Sequence, residues 1–138
     1  MAGIADSAQA REAVRQYLDA LAARDYARAA HLFAGDWRGP AAHVLGDSAG
    51  TLSLAAFLEQ SCTSGYYVCG LRVRRFTGIR FTPPDTFMVG LEYADSAGAR
   101  FTWGPCCGGA GLPDSVGGVR AVARDSGYAV LDLPLYIP

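Results

Sequence analysis

Residues 8–33 read AQAREAVRQYLDALAARD followed by YARAAHLF, and this stretch decides the fold. In its first part, apolar residues recur at intervals of three and four, while charged and amide residues fall mainly between them. The apolar positions are Ala10, Ala13, Val14, Tyr17, Leu18 and Leu21. The pattern predicts a long helix and a shorter second one, from Gln9 to Phe33, with an apolar face that the rest of the chain must cover.

Two further segments determine how many helices are expected. Thr51 or Ser53 can cap a third helix with the sequence LAAFLEQ, which ends near Ser61. The short apolar run at residues 41–45 follows Gly39-Pro40, and its pattern fits either a first strand or a turn. We therefore expect three N-terminal helices.

From Tyr66 onward the hydrophobic period changes to two, which is typical of strands. The predicted strands are residues 66–82, 86–94, 100–103, 119–124 and 128–137. In the second of them, alternation places Phe87, Val89, Leu91 and Tyr93 on one face. Antiparallel hairpins after helices predict a single α+β domain over residues 1–138, with the helices packed on one face of a curved sheet.

The composition excludes several classes of protein. With 138 residues the chain makes one domain of ordinary size, and 51% hydrophobic with 18% charged residues indicates a folded domain. A net charge of −1 gives no broad field for nucleic acid, and no apolar run approaches the roughly 18 residues of a membrane span. Gly108-Gly109 lacks the helix and lysine of a phosphate-binding loop, so no nucleotide or other cofactor is expected.

The cysteines are Cys62, Cys69, Cys106 and Cys107, and they allow three pairings, so their connectivity stays open. A bond between the first two would close a short loop, whereas bonds between the pairs would close loops of roughly 40 residues. Free buried thiols and a zinc site are the alternatives, but no CxxC spacing is present and no metal is expected. Disulfides would favour a secreted or cell-envelope protein over a cytoplasmic one.

The order of elements and the phrase VRQYLDALAARDYARAAHLFAGDW resemble the opening of the nuclear-transport-factor-two-like superfamily, which includes SnoaL-like and ketosteroid isomerase-like proteins. The turn at Gly127-Tyr128 into the last strand fits the same pattern. The residues that carry the opening match are Tyr17, Leu18, Leu21, Asp25, Ala30, Leu32, Phe33 and Asp36. The resemblance implies a cone, in which a strongly curved antiparallel sheet wraps against the first helix and leaves a pocket open at one end.

The resemblance also suggests roles for three polar residues. Tyr17 lies where ketosteroid isomerases carry the tyrosine that stabilises an oxyanion, although a core tyrosine bonded to a carbonyl is the simpler interpretation. Asp132 on the last strand would lie in the pocket or at its rim, and His43 would lie near the mouth. Residues 41–42, both alanine, stand where the isomerases are expected to carry their carboxylate base, so chemistry of that type is not expected.

Other charged residues on the predicted strands are expected to face solvent. Glu92 lies on the face opposite the bulky residues of its strand, which predicts exposure. Arg72, Arg74 and Arg75 form a short basic run that predicts a solvated sheet face, with the binding of an anionic ligand as the alternative.

These features favour a small-molecule-binding or interaction domain, with a small apolar or mixed-polarity molecule in the cone. A homodimer through the sheet is a further hypothesis. The alternative function is an acid/base enzyme, an isomerase, dehydratase, polyketide cyclase or epoxide hydrolase, that uses Asp132 with Tyr17 or His43. Binding is favoured because such chemistry needs an acid and a base held together, and a second carboxylate is missing. The expected pocket lining is Tyr17, Leu21, Phe33, Trp37, Phe57, Trp103 and Tyr128.

Overall fold

The computed structural model describes residues 3–102, 116–125 and 127–136, and within them the chain forms four helices followed by six strands. The helices are α1 (Ile4–Ala22), α2 (Tyr26–His31), α3 (Arg38–Leu45) and α4 (Leu54–Thr63). The strands are β1 (Tyr67–Val68), β2 (Arg72–Thr82), β3 (Thr86–Ala94), β4 (Val116–Arg124), β5 (Gly127–Val130) and β6 (Leu135–Tyr136). This order, with all strand pairs antiparallel, confirms the α+β class.

Side-chain caps define where two of the helices begin. Helix α1 starts at Ile4, earlier than the periodic pattern alone predicts, because Asp6 accepts a hydrogen bond from the Gly3 N–H at 3.0 Å. Ser53 caps α4 as predicted, since its hydroxyl accepts the Ala56 N–H at 3.1 Å. In both helices the cap satisfies a backbone donor that has no partner within the helix.

The prediction of a strand or turn at residues 41–45 is wrong, because these residues belong to helix α3. Pro40 lies in the first turn of this helix, where its missing N–H removes no helical hydrogen bond. Gly46 ends the helix with a φ of 71°, in the left-handed region that favours glycine. The described part of the chain therefore has four helices instead of the three that were expected.

The strands are shorter than the sequence predicts, and they form two separate sheets. Strands β2, β3, β4 and β5 form an open antiparallel sheet in that order, and among the described strands β1 pairs only with β6. The predicted strand at 66–82 is divided between β1 and β2, and the one at 128–137 between β5 and β6. In the described part of the strand predicted at 100–103, only a bridge between Arg100 and Ala94 is formed, and Trp103 lies outside the described residues.

The core lies between α1 and one face of the four-stranded sheet. Alternation along β3 was predicted correctly, since its four bulky residues are all buried. The main buried side chains from the two layers are Val14, Tyr17, Leu18, Leu21, Phe87, Val89, Leu91 and Tyr93. Burying one such aliphatic side chain contributes about 1.5–3 kcal/mol to folding. Within the described residues, no helix combines the length and the apolarity needed to cross a membrane.

The predicted exposure of Glu92 is wrong, since this residue on the opposite face of β3 is only 3% exposed. Its carboxylate lies between two arginines of β2, with Arg75 Nη2 2.6 Å from Oε2 and Arg74 Nη1 3.1 Å from Oε1. The hydrogen bond from Arg75 is the main cause that holds the pKa of Glu92 below its usual value. A carboxylate on an otherwise open sheet face is thus covered by its ion-pair partners.

Candidate functional site

Tyr17 brings an unsatisfied hydroxyl into the centre of the core. It is 1% exposed, and its ring stacks on Phe33 with centroids 6.1 Å apart. The hydroxyl has no hydrogen-bond partner among the described residues. Burial raises the pKa of this phenol well above its usual value, and the negative charge of Asp132 adds to the effect. Tyr17 is therefore a neutral donor that finds no acceptor in the described part of the chain.

Two other tyrosines lie close enough to Tyr17 to affect its ionisation. Tyr67 and Tyr93 are also buried, and the charge that either would carry as a phenolate further raises the pKa of Tyr17. Burial, followed by the charge of Asp132, raises the pKa of Tyr93 to about 12. A Cβ at Gly117 would lie 2.7 Å from Cε2 of Tyr93, so glycine is needed for this ring to lie against β4. We call Tyr17, Tyr67 and Tyr93 the tyrosine cluster.

Asp132 is near this cluster, but its carboxylate is occupied by Arg120. The Arg120 backbone N–H donates to Oδ2 at 2.6 Å, and the guanidinium donates to Oδ1 from Nε at 3.0 Å and from Nη2 at 2.8 Å. The side chain is 30% exposed and follows the end of β5 at Val130 instead of lying within a long final strand. Both guanidinium donors meet the same carboxylate oxygen, and the other oxygen accepts the backbone N–H, so Asp132 is a paired carboxylate and not a free base.

His43 lies on α3, at an exposed position beside an open hollow of about 420 Å³. We call this the α3 hollow, and it is lined by Gly39, Pro40, His43, Val44 and Tyr67. Among the described residues, His43 forms no hydrogen bond with Tyr17 or Asp132. Tyr67 belongs both to the hollow and to the tyrosine cluster, so its ring is the structural link between the two.

The residues expected to line one pocket lie in different places. Phe33 and Phe57 are core residues, and Trp37 packs on Phe57 with centroids 5.6 Å apart. Leu21 borders a hollow beside the disulfide described below, and Tyr128 borders a hollow of about 600 Å³ with Asp6 and Asp85. These hollows are separate from the α3 hollow, and none of the three is lined by Tyr17.

Two members of the tyrosine cluster were not selected from the sequence. Tyr93 continues the buried alternation of Phe87, Val89 and Leu91, so its pattern indicated burial but gave no reason to expect a neighbouring phenol. Tyr67 follows an exposed tyrosine in a short segment, and only its pairing with the distant β6 identifies it as buried. Spatial neighbours from distant segments cannot be recognised from local periodicity.

The sulfur atoms of Cys62 and Cys69 lie 2.07 Å apart, at a Cα separation of 5.6 Å, which is the geometry of a disulfide. Of the pairings left open by the sequence, the structure therefore has the one that closes the short loop. The other two candidates, Cys106 and Cys107, lie outside the described residues. Among the described residues, no group of three or more His, Cys, Asp or Glu side chains is arranged to hold a metal ion.

Fold and site together define an α+β domain in which a helical layer and an open antiparallel sheet enclose a cluster of buried phenols. No protein-family model, curated protein or solved structure matches this chain significantly. The function of this domain is therefore inferred from the residues of the site.

Proposed function

We propose that this chain is a small-molecule-binding domain with the cone architecture of SnoaL-like proteins, and that its ligand binds between α1 and the sheet. The ligand has an apolar body and one hydrogen-bond acceptor, such as a ketone oxygen. The unsatisfied hydroxyl of Tyr17 carries the proposal, because a buried polar group without a partner costs about 1–3 kcal/mol. A ligand acceptor would offset that cost.

The ionisation of the tyrosine cluster supports a role as hydrogen-bond donor. Both phenols are protonated at neutral pH, as any tyrosine is, and the raised pKa values of Tyr17 and Tyr93 extend this state to more alkaline solution. The surrounding side chains are apolar, and a site of this kind selects a ligand by shape and by a small number of polar contacts. Entry from the α3 hollow would take a ligand past Tyr67, which lines that hollow and is close enough to Tyr17 to affect its pKa.

Binding is favoured over acid/base catalysis because the ionisable groups are not arranged as an acid and a base. Asp132 already accepts three hydrogen bonds from Arg120, and His43 is exposed on α3. A general base must be within hydrogen-bond reach of the proton that it removes. The enzyme hypothesis therefore requires Asp132 to leave Arg120, and an Asp132→Asn variant that kept full turnover of a substrate would exclude it.

The binding proposal is tested with two probes of the same shape, 1-indanone and indane, of which only the first has an acceptor. We expect the protein to bind 1-indanone about three- to tenfold more tightly than indane, measured by ligand-observed NMR titration. Tyr17→Phe should remove this preference while it leaves the affinity for indane nearly unchanged. Tyr128→Phe is the matched control, because Tyr128 lies in a different hollow and should leave the preference intact.

Three outcomes would overturn the proposal. Equal affinities of the wild-type protein for both probes would show that no buried donor meets the ligand. A preference that persists in Tyr17→Phe would assign the donor to another residue. If neither probe binds at millimolar concentration, the space between α1 and the sheet does not accept a bicyclic ligand and the proposal fails.

A further inference from the structure

The face of the sheet turned away from α1 has an ordered arrangement of arginines and glycines. Gly78, Gly90 and Gly118 are directly paired across β2, β3 and β4, and we call them the glycine row. On one side of it, the next paired row consists of Arg80, Met88 and Arg120. On the other side, Arg75 pairs with Glu92, and Arg74 in the adjacent bulge reaches the same carboxylate. Arginines therefore border the glycine row on both sides.

These arginines outnumber the carboxylates that face them. Arg74 and Arg75 share Glu92, and Arg120 is paired with Asp132. Arg80 forms no salt bridge with any described residue. The three paired guanidinium side chains remain between 44% and 62% exposed, so their ion pairs leave donors directed to solvent. Arg100 adds a further positive charge near Glu92. The face as a whole is positive in a chain whose net charge is −1.

The glycine row is open at one end and covered at the other positions. A Cβ at Gly78 would meet nothing within 4 Å, whereas one at Gly90 would lie 2.7 Å from the Thr77 hydroxyl. A Cβ at Gly118 would lie 2.9 Å from the Met88 sulfur. Local packing therefore requires glycine at positions 90 and 118, but it does not require glycine at position 78. The backbone at Gly78 is left accessible between Arg80 and Arg75.

We propose that this face binds an acidic peptide segment in extended conformation, which crosses the three strands at the glycine row, against the open backbone at Gly78 and over the Thr77 and Met88 side chains at the other two positions. Successive side chains of an extended peptide point to opposite sides, so its carboxylates would alternate between the two arginine borders. Three strands span roughly 10 Å, which corresponds to about three to four residues of extended chain. Guanidinium groups suit this partner because they can bond carboxylates through two N–H groups at once.

Charge also favours an acidic partner over a second copy of this chain. In a two-fold dimer formed through this face, each positive surface would meet an identical one, and like charges at an interface oppose association. Nucleic acid is disfavoured because the chain as a whole has no positive field to attract a long polyanion. Both remain outcomes that the experiment distinguishes.

The test measures fluorescence anisotropy of a fluorescein-labelled peptide of about six glutamates, a length that covers the three strands. Arg80→Gln should weaken binding about three- to fivefold, as expected for an exposed charge pair. Gly78→Val changes no charge but places a side chain where the peptide would lie, and we expect it to weaken binding at least as much. The Cβ meets open space and valine suits a strand, so this variant should fold.

Arg28→Gln is the matched control, because Arg28 is an exposed arginine on α2 whose side chain bonds to Gln16. It should change the affinity by less than about twofold, since it lies far from the face. An unchanged affinity in Gly78→Val would show attraction by charge alone and overturn the docking site. Tighter binding of a single-stranded DNA of similar charge, or a dimer in sedimentation that Gly78→Val abolishes, would assign the face to nucleic acid or to a second copy instead.

Discussion

At the scale of single residues, Tyr17 and Tyr128 show two ways in which this domain accommodates a phenol. The Tyr17 hydroxyl is buried and has no partner among the described residues. Tyr128 is partly exposed and lies beside Asp6, and burial, followed by the charge of Asp6, raises its pKa. One phenol therefore opposes folding through an unmet hydrogen bond, whereas the other lies beside a carboxylate that can accept from it.

The Tyr17 hydroxyl should be a source of instability in the protein without ligand. Replacement by phenylalanine removes the unsatisfied group and keeps the ring that stacks on Phe33, so we expect Tyr17→Phe to raise the free energy of unfolding by about 1 kcal/mol. Urea unfolding followed by circular dichroism measures this change. Tyr128→Phe should not be stabilising, because the Tyr128 hydroxyl is partly exposed beside Asp6 and is not an unmet buried donor. A loss of stability in Tyr17→Phe would mean that the hydroxyl has a partner in solution.

At the scale of secondary-structure elements, the disulfide fixes one of the two shortest described strands to a helix. Cys62 is in the last turn of α4, and Cys69 directly follows β1, which has only two residues. Of the strands that the structure describes, β1 pairs with β6 alone and not with the main sheet. So short a pair has little independent stability. The disulfide therefore holds Tyr67 against Phe57, where their ring centroids are 6.2 Å apart.

Removal of the disulfide should lower the free energy of unfolding, because the unfolded chain gains conformational freedom when the bond is absent. For a loop of this length the chain-entropy model gives about 2.5 kcal/mol, so we expect the Cys62→Ala/Cys69→Ala variant to lose about that free energy of unfolding. Urea unfolding with and without reductant measures the loss. Reductant should lower the stability of the wild-type protein to a similar extent. If the wild-type protein and the variant unfold at the same urea concentration, the bond is not formed in solution.

At the scale of the whole molecule, sequence periodicity predicted a layer of helices and a layer of strands. It did not predict the contacts between distant segments that hold the layers together. Helix α1 and the buried face of β3 were predictable because each has many apolar residues at one period. Helix α3 was not, because residues 41–45 are too few to distinguish a period of 3.6 from a period of two. The pairing of β1 with β6 joins residues from opposite halves of the chain, and no local pattern contains that information.

The candidate site was predictable in part for the same reason. Tyr17 was selected from its position on the first helix, and its burial agrees with the periodic pattern. The pair between Asp132 and Arg120 was not predicted, because it depends on how β5 ends and turns beside β4. The burial of Glu92 was predicted wrongly because alternation shows on which face of a strand a residue lies. It does not show whether long arginine side chains cover that residue. The sequence thus indicated the layer of each residue, and tertiary contacts decided its partners.

The tyrosine cluster should also make the whole domain less stable as the pH rises into the alkaline range. Burial raises the pKa of Tyr93 to about 12 and raises that of Tyr17 as well, while an unfolded chain ionises its tyrosines near pH 10. Above that pH the unfolded chain loses phenolic protons that the folded state keeps, so the free energy of unfolding falls as the pH rises. These groups contribute fully to the free energy of unfolding below about pH 10. For Tyr93 the contribution is lost between about pH 10 and pH 12.

We expect a loss of up to about 1.4 kcal/mol per pH unit for each buried tyrosine, measured by urea unfolding at several values between about pH 9 and about pH 11. Tyr93→Phe and Tyr17→Phe should each reduce this slope, and Tyr66→Phe is the control because Tyr66 is 43% exposed. An equal slope in all four proteins would contradict the buried cluster, since it would assign the alkaline transition to exposed groups. A reduced slope in both cluster variants would show that these two phenols stay protonated in the folded protein, which is the condition that the proposed hydrogen bond from Tyr17 to a ligand requires.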